Sequence, residues 1–194
     1  MILSRRGFGI SLGAVGATCA LPGSALASTA IALSLETLVS RSDRVVTGTP
    51  VSHESEWVSV EGSRRIVTTT RFVQKSNWFA DDEEEDELLI ATLGGQIGDL
   101  HQKVAGEAEL RLGEESVLFV SGEQRLLRRV IGMGQGHYPV DNDGELRRVR
   151  RSREMPHLVG DRPGAHAVPR KRRAVDVLHG ASLEDARSLV RGAR

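Results

Sequence analysis

The sequence predicts an all-β fold, a closed or nearly closed antiparallel barrel with a short helix at either end. Three observations carry this. Short runs rich in Val, Ile, Thr and Phe recur between residues 43 and 149. Glycine and other turn residues separate them at short intervals. Apolar residues at helical spacing mark the two ends, around 34–39 and 182–190.

The first helix is about two turns long. Ser34 is placed to cap it, and Leu35, Leu38 and Val39 fall on one face. After Asp43 the pattern changes to period two. Val45, Val46, Thr47 and Val51 open a strand that continues through Trp57 and Val58, and Gly48 or Pro50 marks a bulge or an edge position in it. Glu61-Gly62-Ser63 makes a turn, and Arg65 to Val73, almost all strand formers, returns against the first strand. Leu88 to Leu93 is the third strand, closed by Gly94-Gly95, and Ser116 to Val120 is the fourth. Between them, Gln96 to Leu110 has no clean period and reads as a long ordered loop. Leu126 to Ile131 and His137 to Val140 form the next pair, with Gly132, Gly134 and Gly136 lining one face of a strand where another backbone comes close. Asp141-Asn142-Asp143-Gly144 turns the chain into a last strand, Glu145 to Val149.

Beyond Arg150 the composition shifts. Residues 150–180 carry Pro156, Pro163 and Pro169 with many arginines, which predicts a poorly ordered basic linker. At its end Ser182 and Asp185 stand at capping-box spacing, and Leu183, Ala186, Leu189 and Val190 share a face, so 181–194 reads as a C-terminal helix. The division is therefore a leader at 1–27, a barrel at 28–149, the linker, and the terminal helix.

The leader is read from Ser4-Arg5-Arg6-Gly7-Phe8, a mildly apolar stretch from Ile10 to Ala20, the helix breakers Pro22 and Gly23, and the small-residue box Ala25-Leu26-Ala27. It resembles a bacterial twin-arginine (Tat) signal peptide, with Gly9 where an apolar residue is usual and Ile10 after it. The resemblance implies that Arg5, Arg6 and Phe8 are read by the Tat translocase. It also implies that signal peptidase cuts between Ala27 and Ser28, using Ala25 and Ala27, which delivers the product to the periplasm or the medium. No transmembrane segment is expected after cleavage. Removing 1–27 leaves 167 of the 194 residues, enough for one domain with a real core. The single cysteine, Cys19, leaves with the leader, so the mature chain has no thiol, disulfide or thiolate metal site.

Lys/Arg and Asp/Glu are each 26, and the charges are segregated. Asp81 to Glu87 is seven consecutive acids, whereas Arg147 to Arg173 holds ten Lys/Arg against Glu154 and Asp161. Such blocks are ordinarily solvated. The basic block contains no aromatic residue, so specific nucleic-acid recognition through stacked bases is not expected.

The six histidines, at 53, 101, 137, 157, 166 and 179, include no pair at helical i, i+4 spacing and no His-Glu-x-x-His. His53 with Glu54, and His101 with Asp99, each lack an evident third ligand, so no metal or other cofactor is expected. No serine sits in Gly-x-Ser-x-Gly, and Gly132-Met133-Gly134-Gln135-Gly136 is not followed by a helix start or by Lys-Ser/Thr. The acidic run lacks the tight glycine turn of a calcium loop, and Asp141-x-Asp143-Gly144 is better explained as a hairpin. No catalytic residue emerges. Trp57, Phe72 and Trp78, with Phe79, are the aromatics that would form a ligand face for sugar or peptide if they are not core.

The succession of a short helix, Ser42-Asp43-Arg44-Val45-Val46-Thr47-Gly48 with Val51, a Thr-rich strand, Gly94-Gly95, Gly113 to Val120, and Gly134-Gln135-Gly136 with Val140 resembles a set of uncharacterised secreted bacterial proteins. It is similar, more distantly, to the oligonucleotide/oligosaccharide-binding (OB) barrels of netrin modules and tissue inhibitors of metalloproteinases. The resemblance spans about 33–141 and implies an OB-like antiparallel barrel with short flanking N- and C-terminal helices. In those inhibitors an N-terminal cysteine chelates the protease zinc. A mature chain beginning at Ser28 has none, so that mechanism transfers to no residue. The expectation is an exported, non-enzymatic binding module for an extracytoplasmic protein, a co-secreted protease among the candidates, or for a glycan. The alternative is a hydrolase or cofactor enzyme exported folded, which a pocket holding His53, His101 or His137 beside two carboxylates would support.

Overall fold

In the computed structural model, residues 29–60, 62–80, 86–124, 127–143, 146–159 and 172–194 are described. The leader residues Arg5, Arg6, Phe8, Ala25, Ala27 and Ser28 lie outside them, as does most of the acidic run. In chain order the elements are β1 (Thr29–Ile31), α1 (Leu35–Ser40), β2 (Arg44–Val60), β3 (Ser63–Asn77), β4 (Asp86–Leu93), β5 (Gly95–Ile97), β6 (Leu100–Gln102), β7 (Ser116–Gln124) and β8 (Leu127–Val130). A 3₁₀ turn (Met133–Gly136), β9 (His137–Asp143), β10 (Leu146–Val149), β11 (His157–Val159), α2 (Ala174–Leu178) and α3 (Leu183–Gly192) follow. The chain is mostly β with a few short helices. Among the described residues no helix is long and apolar enough to cross a membrane.

The main sheet partly closes into a ring. Its order is β10-β9-β7-β2-β3-β4-β8, and β8 pairs back onto β7. The meander β2-β3-β4 is antiparallel, whereas β8 lies parallel to β4, with Leu89 opposite Leu127. β2 can serve both the ring and β9's layer because it coils through two irregularities, between Thr47 and Gly48 and between Pro50 and Ser52. Gly48 is required there: a Cβ would lie 2.6 Å from the Phe72 ring and closer still to the Val73 carbonyl.

Alternation along β2 and β7 divides the apolar residues between two cores. Val46, Leu118 and Val120 point into the ring with Phe72, Leu88, Ile90, Val130 and the plug residues Ala108 and Leu110. Val45, Val117 and Phe119 point outward and are covered by Trp78, Tyr138, α1, α2 and α3. Strand residues buried on both faces explain why Val117-Leu118-Phe119-Val120 reads as an unbroken apolar run. Each such side chain contributes about 1.5–3 kcal/mol on leaving water. The helix starts follow from their caps. Ser34 Oγ accepts from the Thr37 N–H at 3.2 Å, and Ser182 Oγ accepts from the Asp185 N–H at 3.1 Å while donating to the Asp185 carboxylate at 2.7 Å.

Four expectations change. Leu127–Val130 and His137–Asp143 do not pair with each other: β8 joins β7 and β4, and β9 joins β7 and β10. The Gly132–Gly136 segment is a 3₁₀ turn rather than a strand. Gly132 and Met133 both have positive φ (64° and 59°), which breaks the extended run, although the close backbone approach is real, since the Gly134 N–H donates to the Gly106 carbonyl at 2.8 Å. The 96–110 loop begins with the β5-β6 hairpin. Within the 150–180 stretch expected as a linker, β11 pairs in parallel with β1 and α2 packs on α1, while 160–171 lie outside the described residues.

Candidate functional site

A cleft of about 750 Å³ opens at the mouth of the ring, where its inner face passes from apolar to polar. Register fixes the floor. His53 is opposite Thr70, Ser55 opposite Thr68, and Thr68 opposite Thr92, so these five side chains share the face that carries Phe72 and Ile90 deeper in. The β5-β6 hairpin and the chain from Lys103 to Leu110 form the wall, bringing His101, Gln102, Glu107 and Glu109 to the same space.

The floor is a hydrogen-bonded ladder. His53 Nδ1 and Thr70 Oγ1 are 2.9 Å apart, Ser55 Oγ and Thr68 Oγ1 are 2.9 Å apart, and Thr68 Oγ1 donates to the Gly94 carbonyl at 2.7 Å. The hairpin is tied down by Gln102, whose Oε1 accepts from the Ile66 N–H at 2.8 Å and leaves its amide NH₂ for a ligand. Gly95 crosses directly above the ladder, where a Cβ would collide with Thr68 Oγ1 and lie 2.6 Å from Ser55 Oγ. On the far side Lys103 Nζ pairs with Glu154 at 3.1 Å and bridges the hairpin to the turn after β10.

Burial works against charge in this cleft. Desolvation pushes the Glu107 carboxyl up from its ordinary value, opposed by the Ala108 backbone, Arg129 and the Leu93 backbone. Desolvation lowers His53, opposed by the Leu110 backbone. Both shifts oppose the charged form of the group. The arrangement is suited to a polar ligand rich in hydroxyl groups.

The candidate ligand face does not assemble as expected. Phe72 is 0% exposed inside the ring, and Trp78 is 2% exposed beneath the helices, so both are core. Trp57 is 41% exposed and continues the Ser55 row beyond the cleft, with the Arg64 guanidinium 5.0 Å from its ring centre. His137 is in neither place. It is buried with Nε2 3.1 Å from Ser116 Oγ and its Nδ1 without a partner, and burial first, then Arg150 and Arg111, push it down to about 3. Among the described residues no group of three or more His, Cys, Asp or Glu could hold a metal ion.

Sequence reasoning did not find Glu107, Gln102 or the hydroxyl ladder as a site. The signal was present in Thr68-Thr69-Thr70, where alternate hydroxyls on one strand face must either be exposed or line something polar. No protein-family model, curated protein or solved structure matches this chain.

Proposed function

We propose that this chain is an exported, non-enzymatic binding module built on an OB-type barrel, and that the cleft at the ring mouth takes a neutral glycan. The ring order supports the barrel class: a three-stranded meander β2-β3-β4, with β7 joined to β2 and β8 closing in parallel on β4, fits a five-stranded, partly open barrel. The observation that carries the function is the cleft lining. The hydroxyls of Ser55, Thr68, Thr70 and Thr92, the imidazoles of His53 and His101 and the amides of Gln96 and Gln102 offer the alternating donors and acceptors that sugar hydroxyls match, and Glu107, Glu109 and Glu154 add acceptors of the kind sugar hydroxyls donate to. Export rests on Arg5-Arg6 and the Ala25-Leu26-Ala27 box.

Titration calorimetry of residues 28–194 against neutral oligosaccharides and against extended peptides tests the reading. Glycan binding that is lost on combining His101→Ala with Gln102→Ala supports it, and binding of peptides alone removes it. Export is tested by a reporter fused behind Ala27, which Arg5→Lys with Arg6→Lys should hold inside the cell.

The hydrolase reading keeps one specific observation in its favour, since His53 and His101 share the cleft with Glu107, Glu109 and Glu154. A carboxyl whose hold on its proton is raised by burial, as at Glu107, is a candidate general acid. Mass spectrometry of the incubated ligand separates the two: a binder returns it intact, and a hydrolase returns fragments that disappear in Glu107→Gln.

A further inference from the structure

A second cleft, also of about 750 Å³, lies behind the turn that bounds the first. Arg151 and Arg153 enter it from the segment after β10, His157 from β11, and Arg173 and His179 from the two ends of α2, with Asp176 the one carboxylate among the described residues that line it. The turn is braced from beneath. Ser152 is buried, its Oγ accepting from the Glu154 N–H at 3.3 Å, and the next residues bury Pro156. Glu154 therefore faces the glycan cleft while its neighbours Arg151 and Arg153 face this one.

Several cations elsewhere on the molecule are held by partners. Arg71 is paired with Glu87, Lys75 and Arg147 with Glu115, Lys103 with Glu154, Arg111 with Glu109, and Arg150 with Glu114. Arg148, Arg191 and Arg194 donate to main-chain carbonyls. Among the described residues the guanidinium groups of Arg151, Arg153 and Arg173 have no carboxylate or carbonyl partner, although they line one concavity contributed by three segments. His179 adds a donor. Its Nδ1 accepts from the Arg151 N–H at 3.3 Å, which places the proton of the neutral ring on Nε2.

We propose that this cleft is a phosphate-binding site, recognising a phosphate ester carried by a soluble sugar or polyol phosphate or by a lipid headgroup. Guanidinium forks match phosphate oxygens in pairs, and every group named except Asp176 is a donor or a cation. Among the described residues, three arginines against one aspartate leave two positive charges, which suits a phosphomonoester dianion better than a single carboxylate. The site stands apart from the glycan reading. It uses other residues, and phosphate alone can probe it.

The test uses residues 28–194, with glycerol 3-phosphate followed by calorimetry in one arm and sedimentation with phosphatidic acid vesicles, phosphatidylcholine vesicles serving as the control, in the other. The wild type should bind in at least one phosphate arm, more weakly as salt is raised. Arg151→Gln with Arg173→Gln should weaken it about ten- to hundredfold, the effect of losing hydrogen bonds to a charged group. Arg64→Gln with Arg65→Gln, which removes the same charge from the β2-β3 ribbon, should leave binding unchanged. Circular dichroism of both variants checks folding, since all four side chains are at least partly exposed. Binding in the soluble arm identifies a free phosphate ester, and binding confined to phosphatidic acid vesicles identifies a headgroup. Failure of both arms, or equal losses in the two double variants, overturns the proposal.

Discussion

His137 is 1% exposed, and only one of its ring nitrogens has a partner, so a proton added there brings an uncompensated charge into the interior. Its folded value, about 3, lies below the ordinary 6.5 of an unfolded chain. Between those two values the unfolded state binds the proton and the folded state does not, so stability falls as pH drops below 6.5. By that linkage, about 2 kcal/mol should be lost between pH 7.5 and pH 5. Urea midpoints at the two pH values measure it, and His137→Gln should flatten the dependence. Gly95 fails differently. With φ at +136° and the Ser55–Thr68 pair directly beneath it, Gly95→Ala must lift the hairpin off the ladder. A loss of about 1–3 kcal/mol is expected. Thermal unfolding reports the loss, together with weakened ligand binding at the cleft.

At the scale of elements, α3 depends on its cap more than on length. Ser182→Ala removes the bond to the Asp185 N–H and should cost about 1 kcal/mol, read as a lowered denaturation midpoint. This helix was legible because its signal is local: Ser182 and Asp185 stand three apart, and Ala186 and Val190, both buried, stand four apart. The β2 irregularities at Gly48 and Pro50 were legible for the same reason. What escaped was set by partners far along the chain. The parallel contact of Leu89 with Leu127 crosses 38 residues and leaves no trace in the spacing of either strand. Nothing around Thr29 announces that it will lie opposite His157. The cleft escaped for both reasons, because its floor comes from β2, β3 and β4 and its wall from a segment with no period. Phe72 and Trp78 show the limit of composition, since an aromatic residue is equally suited to a ligand face and to a core until its register is known.

For the whole molecule the important fact is that β2 and β7 are walls of both cores. Val45 and Val46, or Leu118 and Phe119, are neighbours in sequence whose side chains pack on opposite sides. Neither core can loosen without exposing the other. A single cooperative transition is therefore expected, with Trp78 emission and far-UV circular dichroism coinciding in urea. Leu38→Ala on the helical side and Ile90→Ala inside the ring should each cost about 2–5 kcal/mol and shift that one transition. Two separated transitions would show that the cores are independent.

Ring closure protects five strands but leaves a stretch outside it. β7 accompanies β2 only from Arg44 to Gly48, so the rest of β2, paired with β3, leaves the ring with main-chain donors and acceptors along one border. Glu54, Glu56, Arg64 and Arg65, all exposed, keep a second molecule from annealing there. Salt that screens all four weakens that barrier, so fibrillar association in a concentrated stock is expected to begin at this ribbon, read as thioflavin fluorescence that rises with salt.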